Sequence, residues 1–395
     1  MMPLTSFNFA ATPHIHFGVG KRRELSQILK VFGSKVLLIS GGESFDSSII
    51  CQKLFDELDA NFTLQRERVE NEPTPQMIDG WVLKYQGFKP DIVLAIGGGS
   101  AVDAGKAVAG LLPSGDSVMA YLEGVGEGKA FHHPTTPFIA VPTTAGTGGE
   151  TSKNAVLSCI GVDGYKKSFR HEDLFAKHII LDPELTVSCS PETTARCGMD
   201  AFTQLLESFV STHANAMTDA LAWSGLERVS SGLLAAFDDG LNTQARADML
   251  YASSISGLTL ANAGLGSVHG LASPLGAFFP IPHGAVCGSL LFEATKLNIE
   301  SMLSRDVSNP ALVKYAKVGR LLLEDQHLDD AEARFLLLGT LEIWQSYLTM
   351  PKLSDYGVKE ADFDKIIDHI SSGSMATNPI KLERTEIFKL LQARL

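Results

Sequence analysis

The chain has 395 residues, 45% of them hydrophobic and 20% charged, with a formal net charge of −12. That length accommodates two domains with separate cores, and an acidic chain with no concentration of Lys and Arg excludes a nucleic-acid partner. No apolar run reaches the ~18 residues of a membrane span and no basic segment leads into an apolar one, so neither a span nor a secretory signal is expected and the compartment expected is the cytoplasm. The five cysteines, Cys51, Cys159, Cys189, Cys197 and Cys287, are scattered and odd in number, without a C-x-x-C pair. They read as reduced thiols.

In chain order, PHIHFGVGKRREL (13–25) alternates and ends in glycines, which predicts a strand and turn leading into a short helix. His14 and His16 share one side of that strand and read as sheet or surface residues. From residue 35 the text becomes βαβ. KVLLIS (35–40) is the continuous apolar run of a buried parallel strand, followed by Gly41-Gly42 and a helical segment near 44–58. FTLQRERV (62–69) reads as a strand, NEPTP (71–75) as a loop, and 76–86 as a helix. DIVLAIGGGSAVDAGKAVAGLL (91–112) then runs strand, glycine-rich turn, helix, and PFIAVPTTAGTGGETSKNAVLSC (137–159) runs strand, glycine and threonine loop, strand. HIILDPEL (178–185) is the last strand, ended by Pro183, which cannot continue a ladder. The fold class predicted for residues 1–187 is therefore an α/β doubly wound, mostly parallel sheet, with ligands at the carboxyl ends of its strands.

The turn Gly97, Gly98, Gly99 and Ser100 lets the backbone approach a pyrophosphate, and the helix after it aims free N–H groups and its positive dipole end at that anion. Glycine-rich turns of this kind also occur for packing alone. Asp103 and Lys106 follow on the helix, where they either orient ribose and neutralise phosphate or serve only as exposed helix charges. Thr143, Thr144 and the glycines after them can close over a dinucleotide from the opposite side.

Near Ser190 the composition changes. SPETTARCGMDAF offers a capping Ser, Pro at the first helical position and Glu after it, and residues 188–395 read as all helical, with helices over 193–210, 216–237 and 245–262 and more beyond 311. Within this half, GLGSVHGLASPLGAFFPIPHG (264–284) sets His269 and His283 among small and apolar residues. A neutral imidazole so placed suits a metal, although a lone histidine in an apolar segment also serves as a hydrogen-bonded core residue. Upstream, Asp200 and Gln204 lie one helical turn apart and share a face, so both can point at one ion.

The texts NEPTP, GGGSAVDAGKA, PTTAGTGGE, LDPELT, GMDAFTQLLES, VHGLASPLGAFFPIPHG and the late NPIK at Asn378 run through nearly the whole chain. In them the sequence resembles the iron-containing, or group III, alcohol dehydrogenase family. The resemblance implies an N-terminal dinucleotide-binding domain and an all-α metal-binding domain, the fold also of dehydroquinate synthase. It implies a homodimer or higher oligomer that interconverts a small alcohol and an aldehyde or ketone by hydride transfer with NAD(P)H. Carried over by position, it implies Asp200, Gln204, His269 and His283 as ligands of Fe²⁺ or Zn²⁺, with Asp200, His269 and His283 catalytic through the metal. Gly97, Gly98, Gly99 and Ser100 would bind pyrophosphate, Thr143 and Thr144 would face the nicotinamide, and Thr147, Lys167 and Asp103 would line the cofactor cleft.

Two departures qualify this. Gln204 and Ser273 stand where many members have histidine, and an amide oxygen is a weaker ligand than imidazole for borderline metals. The expected site is thus held by Asp200, His269 and His283, with Gln204 a weak fourth ligand or the holder of a metal water, and no proton relay through Ser273. The first strand ends in Gly41 and Gly42 where an acidic residue would select NAD(H), and NADP(H) is the cofactor expected, with Ser40 or Ser44 and backbone N–H groups on its phosphate. A dehydroquinate synthase-like lyase, a glycerol dehydrogenase-like enzyme and a non-catalytic nucleotide-binding protein are the alternatives. Phe169, Trp223, Phe278 and Phe279 either line an apolar substrate pocket or belong to the core.

Overall fold

The computed structural model describes residues 6–370 and 372–395. Six strands, β1 (His14–Phe17), β2 (Lys35–Gly41), β3 (Thr63–Val69), β4 (Ile92–Gly97), β5 (Phe138–Pro142) and β8 (His178–Leu181), form one sheet in the order β1-β8-β5-β4-β2-β3. Every pairing in it is parallel. The apolar runs explain why. Side chains alternate across a strand, and Leu37, Ile39, Val93 and Ala95 enter the core on one face while Val36, Leu38, Ile92 and Leu94 enter the core on the other. Each fully buried Val, Leu or Ile contributes about 1.5–3 kcal/mol, which holds helices against both faces. The chain goes from β2 to β3 on one side and then to β4 on the other. That reversal opens a crevice at the carboxyl ends of β2 and β4, where Gly41 and Gly97 lie.

β6 (Asn154–Cys159) and β7 (Tyr165–Arg170) form a separate antiparallel hairpin. β7 was not expected, because YKKSFR has neither an apolar run nor a clean alternation. The helix expected at 44–58 is two, Glu43–Ser47 and Ile49–Asn61, divided at Ser48, whose extended backbone and hydroxyl cap the second. β8 is shorter than expected. Asp182 leaves it to cap the turn Pro183–Thr186 and to bind Arg22 at 2.7 Å.

The long helices begin at Pro191–Val210, where the Ser190 hydroxyl accepts the Thr193 N–H at 3.1 Å. Ala216–Asp238, Thr243–Ala263, Ser267–Phe278, His283–Arg305, Ala311–Leu322 and Asp330–Tyr347 follow around a third core. Among the described residues no helix is long and apolar enough to cross a membrane. His14 and His16 belong to the sheet edge: His14 stacks on His178, and His16 Nε2 lies 3.0 Å from His178 Nδ1.

Two glycines set the spacing between the lobes. A Cβ on Gly148, whose φ is +60°, would fall 2.4 Å from the Ser253 carbonyl, and one on Gly257 would fall 2.0 Å from the Gly148 carbonyl. Only backbones without side chains approach so closely. The loop is also held from below. Lys106 is fully buried and donates to the carbonyls of Gly149 and Asn154, each at 2.6 Å, and of Ser152 at 3.0 Å. It is thus neither an exposed helix charge nor bonded to the glycine turn. Burial lowers its pKa to about 8, against the charges of Asp103 and Glu150. Lys106→Met, which keeps the length and removes the donors, is expected to cost about 3 kcal/mol in urea or thermal unfolding, because it leaves buried carbonyls unpaired.

Candidate metal and nucleotide site

Three helices meet at Asp200. His269 comes from the first turn of Ser267–Phe278, and His283 is the first residue of His283–Arg305. Asp200 Oδ1 lies 3.2 Å from His269 Nε2 and 3.7 Å from His283 Nε2. The helices come this close because Gly284 and Gly288 face the Asp200 helix: Cβ atoms there would lie 2.4 Å from the Arg196 carbonyl and 3.1 Å from Met199 Cβ. The structure therefore brings together the three residues expected to be the firm ligands.

It adds a fourth donor. Cys287 is one turn after His283, and its Sγ lies 3.6 Å from His269 Nε2 and 3.8 Å from His283 Nε2. One ligand atom from each of Asp200, His269, His283 and Cys287 lies within 4.8 Å of the others. Gln204 lies beside this group, its Nε2 donating to Asp200 Oδ1 at 3.3 Å and its Oε1 accepting from Ser256 Oγ at 2.9 Å.

The charges depend on one another. Burial by itself would raise Asp200, but His283 and His269 outweigh it and hold its pKa at about 2. Burial would lower His269, yet Cys287, Asp200 and Glu207 carry it well above the ordinary histidine value. His283 is driven below that value by burial, which the Asp200 charge offsets only in part. Burial pushes the Cys287 thiol up to about 12. Its Nδ1 buried without a hydrogen-bond partner, His283 has only Nε2 facing the other donors.

Glu207 orients His269. Its Oε2 lies 2.7 Å from His269 Nδ1, and its Oε1 accepts the Val268 N–H at 2.7 Å. With the proton on Nδ1, the Nε2 lone pair faces Asp200 and Cys287, the arrangement in which a carboxylate fixes the tautomer of a ligating histidine. Asn378, in the NPIK text, accepts the Ser267 N–H at 3.0 Å and so anchors the start of the same helix. Glu207 and Cys287 were both missed from the sequence. The signal for Glu207 was its spacing of seven from Asp200, two turns along one face, and for Cys287 its spacing of four from His283.

The residues expected to bind the nucleotide converge at the crevice. A Cβ on Gly97 would fall 2.9 Å from the Gly41 nitrogen, one on Gly98 3.4 Å from the Thr144 side chain, and one on Gly99 2.9 Å from Thr147 Oγ1. The Thr143 N–H donates to the Gly97 carbonyl at 2.9 Å. Ser100 follows in the first turn of the helix Gly99–Leu111, whose N-cap, Gly98, supplies no capping side chain and leaves its leading N–H groups open. Asp103 lies on the same helix with its pKa lifted by burial to about 7. Lys167 is turned elsewhere, its Nζ 3.8 Å from where a Gly124 Cβ would stand. Its neighbour Lys166 is on the opposite side of β7. Lys166 pairs with Glu72, which also accepts from Ser158, and its charge acts on both His283 and Asp103. The Ser273 hydroxyl donates to the Lys166 carbonyl at 3.2 Å.

Of the four aromatics, Phe169 is fully buried against Tyr121 and Phe131, and Trp223 packs on Phe209 under Lys317. Phe278 meets His369 and Lys365, and Phe279 packs on the helical core.

Two family models together match most of the chain: iron-containing alcohol dehydrogenase over residues 12–183, and Fe-containing alcohol dehydrogenase family, C-terminal, over residues 194–395. The chain belongs to the iron-containing alcohol dehydrogenase family. It is 33% identical over 385 residues to alcohol dehydrogenase 4 of Schizosaccharomyces pombe, covering 94% of this chain and 85% of that one. It is 26% identical over 399 residues to the NADPH-dependent butanol dehydrogenase of Clostridium saccharobutylicum, covering 97% of each. The solved alcohol dehydrogenase from Oenococcus oeni superposes with a TM-score of 0.88 at 27% identity, over 99% of this chain and 100% of that one. The protein is accordingly a metal-dependent, NAD(P)-linked alcohol oxidoreductase.

Glu207→Gln keeps the shape beside His269 and removes the charge that fixes its ring. It is expected to weaken divalent-cation binding about 10- to 100-fold, read by competition with a chromophoric chelator.

Proposed function

We propose that this enzyme interconverts a small, uncharged alcohol and its aldehyde or ketone, with NADPH preferred to NADH, in the cleft between its two lobes. The convergence of Asp200, His269 and His283 on one point carries the reading. An acidic oxygen and two imidazole nitrogens, one pinned by Glu207, form a donor set suited to Fe²⁺ or Zn²⁺. When bound, such a cation polarises the substrate oxygen as a Lewis acid while the nicotinamide gives or takes hydride.

The chain's own part is placement. Gly97, Gly98, Gly99 and Ser100 hold the pyrophosphate at the open helix end, and Thr143, Thr144 and Thr147 close on the nucleotide from the facing loop. Asp103 lies beneath that loop, and the cofactor-side role expected of Lys167 falls to Lys166, which faces the crevice. Lys166 is paired with Glu72, which offsets its charge beside His283 and disfavours an acidic substrate. Packing of the loop against the 243–263 helix keeps the lobes at a fixed distance and brings reacting carbons together. The lobes join near residue 187.

Preference for NADPH is supported at the end of β2. Gly41 and Gly42 bring no carboxylate, and Ser40 is in register with Arg68 on β3. Arg68 is exposed and pairs with Asp46 at 3.0 Å and Glu70 at 3.8 Å, leaving donors for a 2′-phosphate. The exposed edge strand β1, with Ile15 and Phe17 open, supports a homodimer or higher oligomer. Five free cysteines support a cytoplasmic location.

A carbonyl screen with added Fe²⁺ or Zn²⁺ under reducing, anaerobic conditions should show turnover at 340 nm, with kcat/KM for NADPH above that for NADH. A ratio favouring NADH overturns the cofactor assignment. Asp200→Ala should lose bound metal and turnover together, and unchanged metal content in that variant overturns the site. Arg68→Ala should lower kcat/KM for NADPH about tenfold, the worth of one charge-assisted pair, and leave NADH within about twofold.

A further inference from the structure

We infer that Cys287 is the fourth protein ligand of the divalent cation, completing an Asp200, His269, His283 and Cys287 set, and that Gln204 stays outside it as a hydrogen-bond donor to Asp200. The inference rests on the metal-dependent reading above. What carries it is the shape of the four donors. With zinc bonds of about 2.0–2.1 Å to nitrogen and oxygen and about 2.3 Å to sulfur, a tetrahedral ion needs edges of about 3.6 Å between sulfur and nitrogen and about 3.3 Å between oxygen and nitrogen. The sulfur-to-nitrogen distances are 3.6 and 3.8 Å, and the oxygen-to-nitrogen distances are 3.2 and 3.7 Å. Four of the six edges thus fall near tetrahedral values and the other two are within 4.8 Å, so one ion can touch all four donors and take the substrate oxygen as a fifth.

Hydrogen bonding leaves one of the four donors poorly served. His269 Nε2 lies 3.2 Å from Asp200 Oδ1, whereas His283 Nε2 has only Asp200 Oδ1 at 3.7 Å and the Cys287 sulfur at 3.8 Å. His283 has no other recourse, since its Nδ1 is buried without a partner. Nor does Gln204 compete. Its nitrogen is turned to Asp200 and its oxygen is held by Ser256, so neither amide atom offers a lone pair to the centre of the group. Two residues on the Asp200 helix and two on the His283 helix share faces at spacing four, and the His283 pair supplies both of its members. On binding, the Cys287 thiol gives its proton to solvent and the sulfur coordinates as thiolate. A soft donor of this kind shifts selection toward Zn²⁺ and Co²⁺ relative to Fe²⁺.

Cobalt reports thiolate ligation directly. The full-length protein, stripped of metal and loaded with Co²⁺ under anaerobic conditions, should bind about one equivalent per chain and show visible d–d bands of tetrahedral intensity together with a near-ultraviolet sulfur-to-cobalt charge-transfer band. Cys287→Ser should keep its far-ultraviolet circular dichroism and lose the charge-transfer band. Gln204→Ala and Cys197→Ala should keep it. Cobalt bound by the wild type without that band, or a band that survives Cys287→Ser, overturns the ligand assignment and leaves the metal site standing. No cobalt bound by the wild type, with circular dichroism unchanged by stripping, overturns the metal-dependent reading itself and this inference with it.

Discussion

The constraint on which the rest depends is the burial of the Asp200 carboxylate in the middle of a helix, 1% exposed. Taking an ionised carboxylate out of water costs several kcal/mol unless close partners of opposite charge repay it. Here His269, its pKa held well above the ordinary histidine value, supplies the charge and His283 stands 3.7 Å away, each at or near the first turn of another helix. Helix starts are the right place for them. The residue just before a helix takes non-helical backbone, so the bends at Gly266 and Pro282 aim His269 and His283 inward, while the helices behind them remain packed in the apolar core. Gly266 has a further reason to be glycine, since a Cβ there would fall 2.9 Å from both Glu207 Oε1 and Asn378 Oδ1. The groups that orient His269 thus occupy the space that any other residue would need.

One loop carries the position of this cluster to the other lobe. At Thr143 its backbone bonds to the end of β4; at Gly146 it passes Cys197, one turn before Asp200; at Gly148 it meets Gly257; and from Gly149 to Asn154 it is tied to Lys106 on the helix that follows the glycine turn. The glycine turn, the Asp200 helix and the 243–263 helix are therefore fixed by successive residues of a single segment. A shift at any of these contacts moves the crevice at Gly41 and Gly97 relative to the Asp200 cluster, and a buried lysine and two close glycine contacts hold the segment in place.

The fold was largely readable because its signals are periodic. Continuous apolar runs identified β2, β4, β5 and β8, and the Ser-Pro-Glu sequence at 190–192 located the first long helix, since both reflect local physics. β7 was not readable, because its side chains are partnered by groups far away in the chain: Lys166 by Glu72, Phe169 by Tyr121 and Phe131. The same limit explains Lys106. A lysine on a helix reads as exposed, and only the return of residues 149–154 across that helix buries it. Lys166 and Lys167 illustrate the point at single-residue scale. Strand alternation sends adjacent lysines to opposite sides, and which one faces the crevice depends on a register that the sequence does not state.

An amide at Gln204 is more than a weak ligand. In the proposed site a histidine there would offer the ion a lone pair, whereas the amide brings a hydrogen to Asp200 itself. A carboxylate that accepts this bond has less charge to give a cation, so the amide weakens two donors at once. The Ser256 hydroxyl sets the amide's orientation, yet it has one hydrogen and two acceptors in reach, the Gln204 oxygen at 2.9 Å and the Ser253 carbonyl at 2.7 Å. While that hydrogen goes to Gln204, the amide nitrogen must face Asp200; were it given to Ser253, the amide would gain by turning its nitrogen to Ser256 and its oxygen inward. The position of one serine proton on the helix behind the site therefore decides whether residue 204 opposes or assists the donors in front of it, and the buried thiol of Cys287 sits where a donor is needed in the first of these states.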